Sequence, residues 1–189
     1  MKVKTKTLKK DKPKKALFKL IKAQAFRKKK VVLSSGKISN YYVDIRKISL
    51  TSKGAFLIAN LLWDELKKHK FSSLGGPTLG ADPILSAVAY HAFLNKRNLK
   101  TFIVRKTQKK HGQARFIEGP TLKKGSKVII IDDVATTGKS LVESIQKLSG
   151  QKVKVIAAFV VVDREEGAKE ILAKYNLPLF SIFKLSEFI

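Results

Sequence analysis

The sequence predicts an α/β fold, a doubly wound and mostly parallel sheet flanked by helices. Segments with strand character alternate with segments of helical periodicity along most of the chain, as in βαβ units. Four consecutive branched aliphatic residues, Val128 to Ile131, are typical of a strand buried on both faces in the middle of a parallel sheet. The 189 residues, 44% hydrophobic and 29% charged, suit one ordinary domain with a core of its own.

The N-terminal third is predicted to contain two helices separated by extended chain. Residues 1–12 are interpreted as a basic, disordered extension, and Pro13 is a suitable first-turn residue for a helix that ends at about residue 26. Residues 31–46 look like two short extended pieces around Gly36. A long amphipathic helix is expected over residues 52–68, where the apolar side chains at helical spacing are Phe56, Ala59, Leu62, Trp63 and Leu66.

The remaining two thirds alternate between strands and helices. Strands are expected at residues 73–76, 101–104, 127–131, 152–162 and 179–183. Helices are expected at residues 82–94, 138–148 and 166–175, and residues 105–119 are expected to form a polar loop.

Polar, glycine or charged residues stand where the predicted strands end. The four ends are Leu74-Gly75, Val104-Arg105, Ile131-Asp132 and Val162-Asp163. In open parallel sheets, ligands bind beyond the carboxyl ends of the strands, which all lie at one edge. The sequence therefore predicts a binding site at that edge.

The chain is strongly basic and contains no cysteine. The formal net charge is +26, and residues 1–30 hold 14 Lys or Arg against one acid, Asp11. Nonspecific attraction of nucleic acid is therefore expected, although a solvated lysine-rich surface explains the same charge. Disulfides and thiolate metal sites are excluded, no apolar run approaches the ~18 residues that span a bilayer, and a cytoplasmic location is the default expectation.

The most informative segment follows the strand that begins near Val128. Two adjacent carboxylates, Asp132 and Asp133, come directly after the aliphatic run, and a loop of Thr, Gly and Ser leads into the next helix. Carboxylates grip sugar hydroxyls, while the amides at a helix N-terminus bind phosphate, so the segment indicates a site for a phosphorylated sugar. A buried strand with a polar cap is the plainer alternative. A P-loop fits less well, because only Gly138-Lys139-Ser140 of that pattern is present.

This segment resembles the phosphoribosyl-pyrophosphate-binding motif of type I phosphoribosyltransferases. The resemblance implies that fold, with Asp132 and Asp133 holding the ribose hydroxyls. It implies that the ribose 5-phosphate as a whole is bound by Asp132, Asp133, Val134, Ala135, Thr136, Thr137, Gly138, Lys139 and Ser140, and that the amides and hydroxyls of the loop after the acidic pair hold its 5′-phosphate.

A second segment narrows the resemblance to orotate phosphoribosyltransferases. Arg-Lys-x-x-Lys-x-His-Gly from Arg105, with Ile-x-Gly at residues 117–119, resembles the mobile catalytic loop of that family. The likeness implies that Arg105, Lys106, Lys109 and His111 face the leaving pyrophosphate; from composition alone, a solvated basic hairpin tip is the alternative. Gly80, in the glycine-rich turn of residues 75–81, is expected to let the backbone approach the pyrophosphate.

The base-binding end is expected to use two separated segments. Residues 33–46 resemble the part of the family that forms a hood over the base, and the likeness assigns orotate contacts to Thr136 and Arg164. Arginine suits this contact because its planar fork matches a carboxylate. Tyr42 is a candidate for stacking on the base, with a structural role as the alternative. Many relatives have an orotate-contacting lysine where this chain has Ser34. Lys37 is a candidate for that role, and it is also counted among the residues expected to bind the pyrophosphate end of the donor.

The resemblance implies transfer of a phosphoribosyl group to orotate, with Mg²⁺ held mostly by substrate and water and no direct protein ligand for the metal. It also implies a homodimer with shared active sites. Three regions are expected: the extension 1–12, the helix and hood 13–50, and the core 51–189, in one domain overall. Two other readings stay open at this point: a phosphoribosyltransferase for another base, and a non-catalytic nucleotide- or nucleic-acid-binding regulator.

Overall fold

The computed structural model of the protein describes residues 11–32, 36, 38–107 and 116–189. A six-stranded sheet lies at its centre, formed by β3 (Ser73–Pro77), β4 (Lys100–Val104), β5 (Ile117–Glu118), β6 (Lys127–Ala135), β7 (Lys154–Asp163) and β8 (Leu179–Lys184). Their order across the sheet is β5-β4-β3-β6-β7-β8. Every neighbouring pair is parallel except β4 with β5. The predicted mostly parallel sheet is confirmed.

The strand order reverses at the centre of this sheet. From β3 the chain passes through α4 (Asp82–Leu94) to β4 on one side, and later returns to β6 on the other side of β3. It then proceeds outward through α5 (Lys139–Leu148) to β7, and through α6 (Ala168–Ala173) to β8. Right-handed crossovers in opposite directions put helices on both faces of the sheet. The boundary between β3 and β6 is thus the topological switch point, where such sheets bind ligands.

The helices cover the two faces with separate apolar clusters. One cluster joins the sheet to α1 (Asp11–Leu20), α3 (Ser52–Leu66) and α4, and includes Leu17, Ile58 and Val88. The other joins the opposite face to α5 and α6 through Leu141 and Leu172. In β6, Ile129 and Ile131 belong to the first cluster while Val128 and Ile130 belong to the second. The aliphatic run is therefore buried on both faces, as its composition predicts.

The N-terminal segment forms a separate small ribbon. The helix α1 continues into one π-helical turn, Ile21–Ala25, and then into β1 (Phe26–Val32), which pairs antiparallel with β2 (Ile38–Val43). This two-stranded hood leads through α2 (Arg46–Ser49) into α3. The prediction of a helix that ends at about residue 26 is thus confirmed, although its last turn is π-helical and not α-helical.

Three sequence predictions differ from the structure. The strand predicted to end at residue 131 continues to Ala135, since β6 pairs with β7 as far as Ala135 and Asp163. The loop predicted over residues 105–119 contains a short strand, β5, held by pairing with β4. Phe56 was predicted to face the core and is instead exposed on the outer side of α3.

None of the helices in the described ranges is long and apolar enough to cross a membrane.

Candidate active site

The strand ends predicted to meet at one edge of the sheet do so, and a cavity of about 540 Å³ lies there. It opens where β3 and β6 part: their pairing stops at Gly75 and Ile130, while β6 continues alongside β7. The lining residues come from the hood, the turn after β3, the loop after β4, the end of β6 and the end of β7. They are Tyr42, Val43, Asp44, Arg46, Pro77, Thr78, Leu79, Gly80, Lys106, Asp132, Asp133, Val134, Thr136, Ser140 and Arg164.

The acidic pair forms the floor of this cavity. Asp132 is buried, and its two carboxylate oxygens accept from the backbone N–H of Asp133 at 2.9 Å and from the Ser140 hydroxyl at 2.8 Å. Asp133 Oδ1 accepts from the Val134 N–H at 2.8 Å. Within the described part of the chain, no donor occupies Asp133 Oδ2. That oxygen is available to a ligand hydroxyl.

The pair is held in an environment that opposes a double negative charge. Burial and the charge of Asp133 raise the pKa of Asp132 to about 8. Burial also raises the pKa of Asp133, against the hydrogen bonds of its neighbours and the positive charge of Arg46. Two close carboxylates in a poorly solvated site share a proton more readily than they ionise together. Hydroxyl donors or positive charge arriving with a ligand favour ionisation.

A second cavity of about 310 Å³ adjoins the first and is shaped for an anion. It is lined by Lys106, Val134, Thr136, Thr137, Gly138, Lys139, Ser140 and Glu143. Gly138 has a φ of +79° and no side-chain cap, so the N-terminal amides of α5 face this cavity. A Cβ at Gly138 would lie 2.7 Å from Ile171 and 3.1 Å from Ala168, which makes glycine necessary there.

The turn after β3 brings bare backbone against the acidic pair. A Cβ at Gly80 would lie 2.5 Å from Asp133 Oδ1 and 2.8 Å from Asp132 Oδ1. Thr78 closes the turn, donating from its hydroxyl to Asp82 at 2.8 Å. The absence of a side chain at Gly80 therefore gives a ligand on the carboxylates direct access to this turn.

The basic loop after β4 begins beside the same cavity. Arg105 donates to Glu118 at 3.4 Å across the β4–β5 stem, and its backbone N–H donates to Phe116 at 2.8 Å. Lys106 lines both cavities described above, while Arg105 lines a third cavity with Thr78. The acidic pair and the start of the loop thus lie on the same side of the fold.

Arg164, one of the predicted orotate contacts, is buried at the end of β7 and forms hydrogen bonds with the hood. It is only 4% exposed; its guanidinium donates to Glu166 at 2.9 Å, to Ser39 Oγ at 2.8 Å and to the Tyr41 carbonyl at 3.2 Å. Most of its donors are therefore engaged within the protein, although the side chain still lines the cavity. Tyr42 and Thr136 line the same cavity.

Three side chains at the site had no individual role predicted from the sequence, although Asp44 and Arg46 belong to the segment that resembles the hood. Asp44 and Arg46 line the main cavity, and Lys147 on α5 donates to the carbonyls of Arg105 at 3.1 Å and Lys106 at 3.0 Å. Lys147 gives no local signal in sequence, because its partners are about forty positions away. The pair Asp44-x-Arg46 was visible as an acid and a base leaving a predicted strand.

Some predicted residues fall outside the described ranges. These are Lys37, Lys109 and His111, so their predicted roles stay predictions. No cluster of three or more His, Asp or Glu side chains suited to a metal occurs among the residues that the structure describes.

Comparison with known proteins agrees with this geometry. A family model, the phosphoribosyl transferase domain, matches residues 49–182. The chain therefore belongs to the phosphoribosyltransferase family.

Individual relatives narrow the class. The orotate phosphoribosyltransferase of Aquifex aeolicus is 43% identical over 83% of this chain and 85% of its own length, and that of Corynebacterium glutamicum is 40% identical over 90% and 91%. A crystal structure of Mycobacterium tuberculosis orotate phosphoribosyltransferase in complex with 5-phospho-α-D-ribosyl 1-diphosphate superimposes with a TM-score of 0.77, at 30% identity, over 93% of this chain and 98% of that one. Within its family, this chain is one of the orotate phosphoribosyltransferases.

Proposed function

We propose that this site transfers the phosphoribosyl group of 5-phospho-α-D-ribose 1-diphosphate to N1 of orotate, as a step of pyrimidine biosynthesis. The products are orotidine 5′-monophosphate and pyrophosphate. The observation that carries the proposal is the placement of Asp133 and Lys106 on one cavity, with the open amides at the start of α5 beside it. A sugar carrying a phosphate at one end and a pyrophosphate at the other matches that distribution of charge.

The donor is proposed to lie along the edge of the sheet. Its 5′-phosphate occupies the cavity at the start of α5, where Thr136 and Thr137 supply hydroxyls and the residues from Thr137 to Ser140 supply backbone amides. Its ribose hydroxyls donate to Asp132 and Asp133. The pyrophosphate then points from C1 toward Gly80 and the loop after β4.

The proposed chemistry is dissociative. As the C1–O bond breaks, negative charge grows on the pyrophosphate and positive charge grows on the ribose. Lys106 and Arg105, together with Lys109 and His111 beyond the described residues, stabilise the anion, while the acidic pair stabilises the ribose cation. The pair starts partly protonated in the free site, and its ionisation is favoured as cationic character develops.

Orotate is proposed to bind between the hood and the end of β7. Thr136 and Tyr42 line this side of the cavity. Because Arg164 already donates to Ser39, Tyr41 and Glu166, it offers orotate a single remaining N–H and its positive charge. The proposed role of Arg164 is therefore both to hold the hood and to attract the orotate carboxylate.

Mg²⁺ is proposed to arrive with the donor. The described residues offer Asp132 and Asp133 as the acids beside it, and both already accept hydrogen bonds within the protein. This donor set fits an ion coordinated mainly by pyrophosphate and ribose oxygens and water, which is the usual preference of Mg²⁺. The bound ion would neutralise charge on the pyrophosphate.

A homodimer is proposed on the basis of the outer surface of α4. This helix buries Ile84, Leu85, Val88 and Ala92 on one side. The other side exposes Tyr90, Phe93 and Leu94 at helical spacing, and Phe56 of α3 lies exposed nearby, with its ring 6.5 Å from that of His91. A helix with apolar residues on both sides is typical of one that packs against other elements on both sides. We propose that the exposed side of α4 packs against a second copy of the chain.

A cytoplasmic location stays a prediction.

The activity test follows the absorbance of orotate with 5-phospho-α-D-ribose 1-diphosphate and Mg²⁺. The wild type is expected to consume orotate, and adenine, guanine and uracil are expected not to replace it. Lys106→Ala is expected to lower kcat by about a hundredfold, within the range typical for loss of a group that stabilises transition-state charge.

Lys174→Ala is a matched control, since Lys174 is exposed at the end of α6 and lines none of the cavities described above. Absence of orotate consumption by the wild type would overturn the function. Equal kcat values for the wild type and Lys106→Ala would remove the role of Lys106 alone.

A further inference from the structure

We infer that Arg46, held in place by Asp44, is a pyrophosphate-binding residue of this enzyme. The inference rests on the proposed function and adds a residue from the hood side of the cavity to the pyrophosphate end of the site. Neither residue was assigned a role by the motifs that identify the donor site.

The position of Arg46 is fixed by a short network. Its Nε donates to Asp44 Oδ1 at 2.9 Å, and its backbone N–H donates to the same oxygen at 3.3 Å. The Tyr42 hydroxyl donates to the other Asp44 oxygen at 3.4 Å. The Asp44 side chain is 14% exposed and the Arg46 side chain 47% exposed. Asp44 thus anchors one edge of the guanidinium and leaves the rest facing solvent and cavity.

The outer fork of Arg46 is available to a ligand. Among the described residues, no acceptor meets Nη1 or Nη2, which leaves four N–H donors. Arg164 also lines the cavity and also lies outside the basic loop. However, it is only 4% exposed, and nearly all its N–H donors already form hydrogen bonds within the protein. A planar fork with free parallel donors is the group that binds phosphate oxygens in pairs.

The position of Arg46 agrees with the pyrophosphate end of the site. Arg46 lines the main cavity with Leu79 and Gly80, and it also lines a neighbouring cavity of about 630 Å³ with Leu79 and Asp82. It therefore lies on the side of the β3–α4 turn. Because Gly80 abuts both carboxylates, a ribose bound to them places its C1 substituent beside this turn.

Charge on the acidic pair supports the same placement. The hydrogen bond and charge of Asp44 raise the pKa of Arg46, and the charge of Asp133 adds to this effect. Arg46 thus lies close enough to Asp133 for the two charges to interact. A cation there balances Asp133 in the free site and meets the pyrophosphate when the donor is bound.

The test uses the reverse reaction, which consumes orotidine 5′-monophosphate and pyrophosphate and releases orotate. In Arg46→Gln, the KM for pyrophosphate is expected to rise about tenfold or more, as for loss of a charged hydrogen-bond pair, while the KM for orotidine 5′-monophosphate changes less than about twofold. Arg46→Lys keeps the charge but not the fork, and its KM for pyrophosphate is expected to lie between those of the wild type and Arg46→Gln.

Lys47→Gln is the matched control, because Lys47 is the next residue and lines the neighbouring cavity but not the main one. It changes the net charge equally and is expected to keep the wild-type KM for pyrophosphate. An unchanged KM for pyrophosphate in Arg46→Gln, an equal rise for both substrates, or a lysine variant no better than glutamine would overturn the inference while leaving the function intact. A wild type without activity would overturn the function itself.

Discussion

At the scale of single residues, the burial of Asp132 and Asp133 places two carboxylates in the main cavity but lowers the stability of the fold. Each accepts hydrogen bonds from its own loop, and both have a raised pKa because they are buried side by side. At neutral pH, folding requires the pair either to ionise in a poorly solvated site or to take up a proton, and both lower the stability of the folded state. The site is therefore less stable without its ligand than a neutral site of the same shape.

This argument predicts how stability depends on pH. The folded-state pKa of Asp132 lies above the unfolded value of about 3.9, so the stability that it contributes is present at low pH and is lost as pH rises toward 8. Asp132→Asn removes the titration, and its melting temperature relative to wild type is expected to increase steadily between about pH 4 and about pH 8. Thermal unfolding at a series of pH values measures this difference.

Asp64→Asn serves as the comparison, since Asp64 lies on α3 in a surface ion pair with Lys67. Its melting temperature relative to wild type is expected to show no such trend. A constant difference for Asp132→Asn across the pH range would contradict the buried-charge explanation.

The place of Asp132 and Asp133 in the site was predictable, because the two carboxylates are adjacent in sequence and follow an aliphatic run. The anchoring of Arg46 by Asp44 was not, although both residues are visible in the sequence. What gives Arg46 its significance is the cavity shared with Gly80 and Asp133, and this depends on how the hood lies over the sheet.

At the scale of elements, the loop after β4 has a fixed base. The antiparallel pair of β4 and β5 forms its stem, and Lys147 of α5 donates to the carbonyls of Arg105 and Lys106. The Lys147 ammonium also lies 5.1 Å from the centre of the Phe116 ring, at the other end of the loop. One cation therefore contacts both ends of the segment, and it holds Lys106 beside the cavity.

Removal of this contact is expected to affect catalysis more than folding. Lys147→Met keeps the apolar stem of the side chain, and it is expected to lower kcat/KM about tenfold through misplacement of Lys106. Steady-state kinetics and the melting temperature, measured on the same sample, separate the two effects.

Lys152→Met is a suitable control because Lys152 lies in the turn before β7, away from the cavity. A melting temperature that falls in parallel with activity would contradict a positioning role for Lys147. Wild-type kcat/KM in Lys147→Met would contradict it as well.

Element types were largely predictable and element ends were not. The strand β6 runs past its aliphatic stretch because β7 continues to pair with it, even though β3 has already ended its pairing at Gly75. A carboxylate gives no local preference for a strand, so this extension comes from the neighbouring backbone. The short strand β5 likewise exists through β4 and has little signal of its own.

At the scale of the whole molecule, the order of the strands creates the site. The reversal between β3 and β6 places the turn after β3 against the carboxylates at the end of β6. The sequence predicted the class of sheet and the edge that binds ligand, because both follow from alternating strands and helices. It did not predict which strands are neighbours.

The proposed dimer is also a property of the whole molecule. Phe93 is 71% exposed on α4, and Phe93→Asp is expected to convert the dimer to a monomer, because burial of a charge in an apolar contact is costly. Ile189→Asp, at a side chain that is 68% exposed elsewhere, is expected to leave the dimer intact. Sedimentation velocity of the two variants and the wild type measures this.

If active sites are shared between subunits, the Phe93→Asp monomer should also lose most of its activity. A monomeric wild type would contradict the dimer, and a fully active monomer would contradict shared sites.

The contacts of Arg164 have a consequence for altering base specificity. One guanidinium joins Ser39 and Tyr41 of the hood to Glu166 beyond β7, so the two walls between which orotate is proposed to bind are held together by the same side chain. Grafting a hood from a relative with a different acceptor base would remove the Ser39 and Tyr41 acceptors and would leave buried donors of Arg164 unpaired, with Glu166 as the remaining partner. Redesign for a new acceptor base must therefore exchange the ribbon and the Asp163–Glu166 segment together.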